Sequence, residues 1–381
     1  MARILVVAGE ASGDRLGGML LEELARIAPH HSFVGVGDRE LGARGMEILV
    51  PSHELDVVGG VEALSRLPRL YYTYTVLKEL ITSREVDALL LIDYPGMNLK
   101  LAQLARAEGL PVIYYVSPQV WAWRPGRIKK IKRSVDLMMV ILPFEEELYR
   151  KAGVPVVYVG HPLMDVVRPV LGREEFRGRL GLSPEDEVVA LLPGSRRQEL
   201  DYLLEEMVGA AAILARERGT SFVLPVASTL SLEEVKERWS RLARYGDINC
   251  VIMQGDTYSA VAAADVALVA SGTATLEVAL LGTPEVLVYR VNPLTYMVGK
   301  RLVRVRWLSL VNIVLGYRVV PELIQSKARA PLMARELVGL LDGGGVAMRE
   351  EMARLREILG PPGASARAAQ TVARFMEERG L

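Results

Sequence analysis

Four short segments of this 381-residue chain carry residue types that can move a proton or hold an anion. In segment 92–98 (IDYPGMN), Asp93 closes the most hydrophobic of the strand-like runs. A carboxylate at the end of a buried strand can take a proton from an attacking hydroxyl; a helix-capping aspartate is the alternative. Segment 9–14 (GEASGD) sets Glu10 and Ser12 between a strand and a helix. Small residues and backbone amides there can approach an anion, or Ser12 or Asp14 simply caps the helix. The segment is not GxGxxG, so a dinucleotide site loses its main support. In segment 192–199 (LPGSRRQE), Gly194 and Ser195 can present amides to a diphosphate and Arg196 can neutralise it. Arginine is otherwise poorly placed at a helix start, where the dipole favours anions; Glu199, three residues on, can pair with it. Segment 270–277 (ASGTATLE) is the sharpest. Ser271, Gly272 and Thr273 form a small-residue loop after a strand, and Glu277 follows one helical turn later, where a carboxylate can accept two ribose hydroxyls. Capping by Thr273, with Glu277 on a solvated face, is the plain alternative.

The elements that must position these segments are legible from hydrophobic runs. Strands are expected at 3–8, 32–35, 86–92, 111–116, 136–142 and 154–159, with helices at 15–27, 99–108 and 145–152. The pattern then restarts with strands at 187–192, 221–226, 248–253, 266–269 and 285–288 and a long helix over 200–216. Near-continuous apolar strands alternating with helices indicate parallel sheets covered on both faces. The fold class is therefore α/β, with two Rossmann-like domains at 1–165 and 166–345, joined by a short hinge near Gly160-His161-Pro162. The helical tail 346–381, broken at 360–363, is expected to return to the first domain. Two such halves leave a cleft at the carboxyl ends of their strands, where small ligands favour binding.

Composition narrows the function. Lys plus Arg and Asp plus Glu are 46 each, so the net charge is zero, which argues against a nucleic-acid coat protein. Hydrophobic residues at 50% exclude a disordered chain. A lone cysteine, Cys250, read as a small buried hydrophobe, excludes an internal disulfide framework. The four histidines are scattered; His161 reads as a turn residue rather than a catalyst. The apolar run at the N-terminus is short for a signal sequence and no run spans a bilayer, so the expected location is cytoplasmic.

Two stretches, 121–133 and 286–321, each carry six basic residues and no acid. The first suggests nucleic acid, an anionic membrane or a solvated helix face. The second reads as a basic amphipathic helix on a membrane, or as an anion-lined wall. Segment 61–72 combines Leu64, Leu67, Leu70, Tyr71 and Tyr72 with Arg66 and Arg69. It reads as an apolar patch with basic anchors or as one buried amphipathic helix broken near Pro68.

Taken together, AGEASGD at 8–14, Asp93-x-Pro95 with Asn98, SPQVWAW at 117–123 and GHP at 160–162 resemble the lipid-A-disaccharide synthase family. So do LPGSR at 192–196, ASGTATLE at 270–277, Tyr289-Arg290 and Ser309-Leu310-x-Asn312. They follow the family's order over almost the whole chain. The resemblance implies two Rossmann-like domains facing across a cleft (the GT-B architecture) and an inverting hexosyltransferase. It would move 2,3-diacylglucosamine from UDP to 2,3-diacylglucosamine 1-phosphate, giving the β(1→6) disaccharide and UDP. No metal or cofactor is expected. Asp93 would be the base and Arg196 would meet the leaving-group charge. Gly194, Ser195, Ser271, Gly272, Thr273, Glu277, Arg290, Asn312 and Gln325 would hold the donor, and Glu10, Ser12 and Asn98 the acceptor. Both substrates carry acyl chains, which implies peripheral work at the inner face of the cytoplasmic membrane, with Leu64, Leu67, Leu70 and Tyr71 as the contact. No nucleic-acid partner is implied, and the chain is expected as a monomer or homodimer. The family's segment commonly reads Asp-x-Pro-Asp-Phe-Asn; here it is DYPGMN, leaving Asp93 its only carboxylate. The rival readings are another UDP-sugar enzyme on the same scaffold, an epimerase or transferase, and a non-catalytic module binding anionic lipid or nucleic acid.

Overall fold

A computed structural model of the protein describes residues 1–55, 67–243 and 247–381. It divides into two units: Met1–Asp165 with Leu359–Leu381, and Val166–Ile358.

The first unit is built on a parallel sheet of β1 (Arg3–Ala8), β2 (Ser32–Gly37), β3 (Glu47–Pro51), β4 (Ala88–Ile92), β5 (Val112–Tyr115), β6 (Leu137–Val140) and β7 (Val156–Tyr158). Their order is β3-β2-β1-β4-β5-β6-β7. Strand residues point alternately to the two faces, so β1 and β4 feed two cores at once. Leu5, Val7, Leu89 and Leu91 enter one; Ile4, Val6, Ala8, Leu90 and Ile92 enter the other. This is why β4 is apolar without alternation.

The second unit repeats the plan. Its strands β8 (Val188–Leu192), β9 (Ser221–Val226), β10 (Cys250–Gln254), β11 (Val266–Ala270), β12 (Glu285–Tyr289) and β13 (Glu322–Ile324) are all parallel, in the order β10-β9-β8-β11-β12-β13. The sequence patterns miss β3 and β13. Both lie at sheet edges and are only partly buried, so neither forms a continuous apolar run. Cys250, expected in the core, is only half-buried at the start of edge strand β10. A buried ion pair closes the base of this sheet: the Arg177 guanidinium donates to Asp265 and to the carbonyls of Ala263, Pro184 and Asp186.

The expected return of 346–381 is narrower than the sequence suggests. The helix Gly345–Leu359 stays on the second unit, where Arg349 donates to the Asp265 carbonyl and Arg356 to the Leu280 carbonyl. Only the helix Ala364–Glu378 packs on the first unit, burying Ala368, Ala369, Val372, Phe375 and Met376 in the core beside the helix Ala11–Ile27. The break at 360–363 lets the chain cross back. Asp165 then accepts from the Gly363, Ala364 and Ser365 amides at 2.5, 3.2 and 3.0 Å, capping the last helix from the far end of the unit's chain. His161 is buried, accepts from the Leu163 amide and is held neutral, its pKa lowered to about 4 by burial. It fixes the turn, as its place in Gly-His-Pro suggests.

Asp165→Ala removes the acceptor from three part-buried amides at once. It is expected to cost about 1–3 kcal/mol, read as a lower urea midpoint with a similar slope.

Candidate active site

In an open parallel sheet, the two strands at which the order reverses leave a gap beyond their carboxyl ends. In the first unit these are β1 and β4, paired so that Ala8 faces Ile92. The loops that follow are GEASGD and DYPGMN, brought side by side although 83 positions separate Glu10 from Asp93. The approach is close: a Cβ on Gly9 would lie 2.3 Å from the Tyr94 ring. Asp93 and Tyr94 both take φ +44°, and Val116, which closes β5, takes φ +62°. Left-handed conformations cost non-glycine residues energy and gather at functional loops. The surrounding bonds hold Asp93 in place. Its N–H donates to the Tyr115 carbonyl, and its carbonyl accepts from Tyr114 Oη and Asn98 Nδ2.

The carboxyl of Asp93 is pushed up to about 7. Burial is the main cause, followed by the Glu10 carboxylate and, less strongly, Glu145; the Tyr94 N–H pulls the other way. A group poised near neutrality is suited to general-base work. Glu145 was not legible as a site residue. It is buried, accepts from Ser117 Oγ at 2.6 Å and Trp121 Nε1 at 2.9 Å, and is itself raised by burial. SPQVWAW therefore supplies the polar partners of a buried carboxylate beside Asp93.

Several expectations are corrected here. Asn98 is fully buried and donates to the carbonyls of Val7, Ile92 and Asp93, so it ties β1 to β4 rather than facing a ligand. Met97 lies in the core, while Gly96 is exposed with open space where a side chain would be. Neither Ser12 nor Asp14 caps its own helix, whose N-cap is Glu10. Asp14 is buried and accepts from the Asp38, Glu40 and Leu41 amides, while Ser12 is exposed.

In the second unit the order reverses between β8 and β11, and the loops after them are LPGSR and ASGT. Gly194 takes φ +112° and packs on Glu199, whose Oε2 would lie 2.0 Å from an added Cβ. Glu199 accepts from the Ser195 amide at 2.8 Å and lies 3.8 Å from the Arg196 guanidinium. The Ser195 amide expected for a diphosphate is thus engaged by Glu199, while the Arg196 side chain remains largely exposed. After β11, Gly272 is the N-cap of the helix Thr273–Leu280 without a side-chain cap; Thr273, expected as a possible cap, is exposed. Glu277 sits one turn in and accepts from Tyr258 Oη at 2.8 Å. Tyr258 follows β10 and carries no sequence signal of its own.

Asn312 and Gln325 also hold structure rather than open a pocket. The buried Asn312 accepts from the Val319 and Val320 amides and donates to the Val320 carbonyl and Glu322. These bonds fill its capacity of two donors and two acceptors. Gln325, at φ +53°, clamps both sides of the Val291 backbone, next to Arg290. Arg290 pairs with Glu206 at 3.0 Å, and Glu206 also accepts from the Ala330 amide.

A family model described as lipid-A-disaccharide synthetase matches residues 4–374. The chain belongs to that family. The lipid-A-disaccharide synthase of Geobacter metallireducens is 45% identical over 380 residues, covering 99% of this chain and 98% of that one. The Myxococcus xanthus lipid-A-disaccharide synthase is 44% identical over 375 residues, covering 97% and 96%. Among solved structures, the UDP-GlcNAc 2-epimerase of Neisseria meningitidis superposes with a TM-score of 0.64 at 12% identity over 98% of this chain and 100% of that one. The calicheamicin glycosyltransferase CalG4 superposes at 0.60 and 15% over 100% of both. These likenesses establish the fold of nucleotide-sugar transferases and epimerases: two Rossmann-like domains.

The surface segments divide. Leu64 lies outside the described residues. Leu70 packs on the first unit's core, whereas Leu67 and Tyr71 are exposed, Tyr71 by 74%. Pro68 lies within the described helix Leu67–Thr82. In 121–133, Arg124 and Arg127 lie over the Trp123 ring, and the helix Arg127–Ser134 buries Ile131 and Ser134 beneath a solvated basic face. Among the described residues no helix is long and apolar enough to cross a membrane.

Carbon-13 NMR of labelled aspartate is expected to show one carboxyl titrating near 7. Glu10→Gln removes a neighbouring negative charge and should lower that midpoint without returning it to the ordinary range, since burial is the larger cause.

Proposed function

We propose that this family member is an inverting glycosyltransferase that moves 2,3-diacylglucosamine from UDP to 2,3-diacylglucosamine 1-phosphate. The Asp93 carboxylate takes the proton of the acceptor's 6-hydroxyl as that oxygen attacks the anomeric carbon. The bond from that carbon to the β-phosphate oxygen breaks, and its electron pair leaves with UDP. The result is the β(1→6) disaccharide. Arg196 meets the charge that develops on the diphosphate, with the uncapped amides at the start of the helix Thr273–Leu280 and its Ser271–Gly272–Thr273 loop. Glu277, oriented by Tyr258, receives the ribose hydroxyls. Arg290 lines the donor side through the turn that Gln325 and Asn312 hold. Glu10 and Ser12, beside Asp93, face the acceptor. The scheme calls on no resident metal or cofactor.

The observation that carries this reading is the Asp93 carboxyl itself: partly desolvated, fixed at the switch point and pushed up to about 7. Family membership supports the substrate pair. Because the substrates are acylated, we place the enzyme peripherally on the inner face of the cytoplasmic membrane. Exposed Leu67 and Tyr71 supply one contact.

Asp93→Asn keeps the shape and removes the base, and is expected to lower kcat by roughly 10²–10⁴-fold. In the wild type, kcat/KM should rise with pH through about 7, because the active form is the deprotonated one. Near-wild-type turnover of Asp93→Asn would sink the assignment. UDP release that requires the acceptor separates transfer from the epimerase chemistry found on the same fold. Glu277→Gln should raise KM for the UDP-sugar about tenfold with little change in kcat, the size expected for a lost charged hydrogen bond.

A further inference from the structure

Most of the described residues of the helix Pro293–Leu302 of the second unit are exposed, with Tyr296 and Gly299 half-buried. Asn292 caps it through the Leu294 amide, and none of its described side chains is buried. A surface helix of a globular domain ordinarily buries one apolar stripe. Here four apolar residues are outside: Leu294 is 67% exposed and Met297 53%, with Leu302 and Val303 following. The same segment is cationic. Lys300, Arg301, Arg304 and Arg306 lie within seven positions, in a 36-residue stretch (286–321) without an acid. Several exposed arginines elsewhere have a carboxylate partner: Arg26 with Glu22 and Glu23, Arg150 with Glu146, Arg218 with Glu187. Among the described residues, none of these four cations makes an ion pair; Arg306 lies over the Trp307 ring instead.

Exposed apolar side chains and unpaired cations on one helix and the segment that follows it describe an interfacial element. The apolar groups enter the acyl boundary and the cations meet phosphate headgroups. The basic stretch 124–133 has the charge but not the apolar face, since Ile131 is buried. The exposed Leu67 and Tyr71 have the apolar face, but their neighbour Arg69 is paired with Glu54.

We propose that segment 293–306 is a docking surface for an anionic lipid bilayer, giving the second unit a membrane contact of its own. The occupant follows from charge complementarity: only an anionic, partly apolar surface satisfies both sets of groups. The biological purpose rests on the acylated substrates proposed above; the surface itself does not. Its effect would be to hold the donor-side unit at the layer from which a lipid-linked sugar must be extracted.

The test is co-sedimentation of the full chain with vesicles of phosphatidylcholine and phosphatidylglycerol, against pure phosphatidylcholine. The charge variant is Arg301→Glu with Arg304→Glu; the apolar variant is Leu294→Ser with Met297→Ser. All four positions are exposed, so circular dichroism and thermal unfolding should match the wild type. Each basic residue near an anionic surface contributes about fivefold. The charge variant should therefore lose at least tenfold in partitioning to anionic vesicles and little to neutral ones. The apolar variant should lose partitioning to both. UDP release from detergent-dispersed substrates should stay at the wild-type rate in both variants. Unchanged partitioning of the folded variants overturns the proposal. So does loss of turnover in detergent, which would place the segment in the substrate site. Because sedimentation is read without turnover, a failure of the proposed reaction leaves this result standing.

Discussion

The structure depends on the way a parallel sheet must be wound. Each crossover between parallel strands is right-handed and carries a helix to one face. When the chain finishes one side of the sheet and starts the other, the helices after the two central strands lie on opposite faces. Beyond the carboxyl ends of those strands a gap remains that no helix covers. This chain meets that condition twice, at β1/β4 and at β8/β11. The residues with chemical potential stand on the four loops that border the two gaps: Glu10, Asp93, Arg196 and Glu277.

Burial then does the chemical tuning. β4 is apolar on both faces, so the carboxylate that ends it inherits a poorly hydrated setting. Two further carboxylates, Glu10 and Glu145, share that setting and resist a full charge on Asp93. The left-handed backbone at Asp93 and Tyr94 costs energy, and the bonds from Tyr114, Asn98 and the Tyr115 carbonyl hold it. In the second unit the devices differ. Glu199 engages the loop amides beside Arg196, and Tyr258 orients Glu277. One unit tunes an acid by desolvation; the other arranges charge and hydrogen bonds for a polyanion.

Much of the supporting network is invisible in sequence because it is made of ordinary residues at long separation. Tyr258 and Glu277 are on different helices, Ser117 and Glu145 are 28 positions apart, and Gln325 and Val291 are 34 apart. The errors have the same source. Asn98, Asn312 and Gln325 fall within or near the family's motifs and read as ligand contacts. Their amides instead satisfy buried backbone groups, because an unpaired backbone group in the interior is costly. Leu70 and the helix Gly345–Leu359 were misplaced for a similar reason: periodicity says that a helix has an apolar face, not which surface will cover it.

The sequence by itself determined the repeating strand–helix alternation, the two-domain α/β class, the family and the four loops that carry chemistry. Those follow from local hydrophobic period and from motifs read in order. The tertiary structure decided that GEASGD and DYPGMN are neighbours and that Asp93 lies beside Glu10 and Glu145. It also decided which side-chain amides of the motifs hold backbone, and that one cationic segment leaves apolar side chains exposed. Those are consequences of strand order and packing, which bring together residues far apart in the chain and set how much water each one keeps.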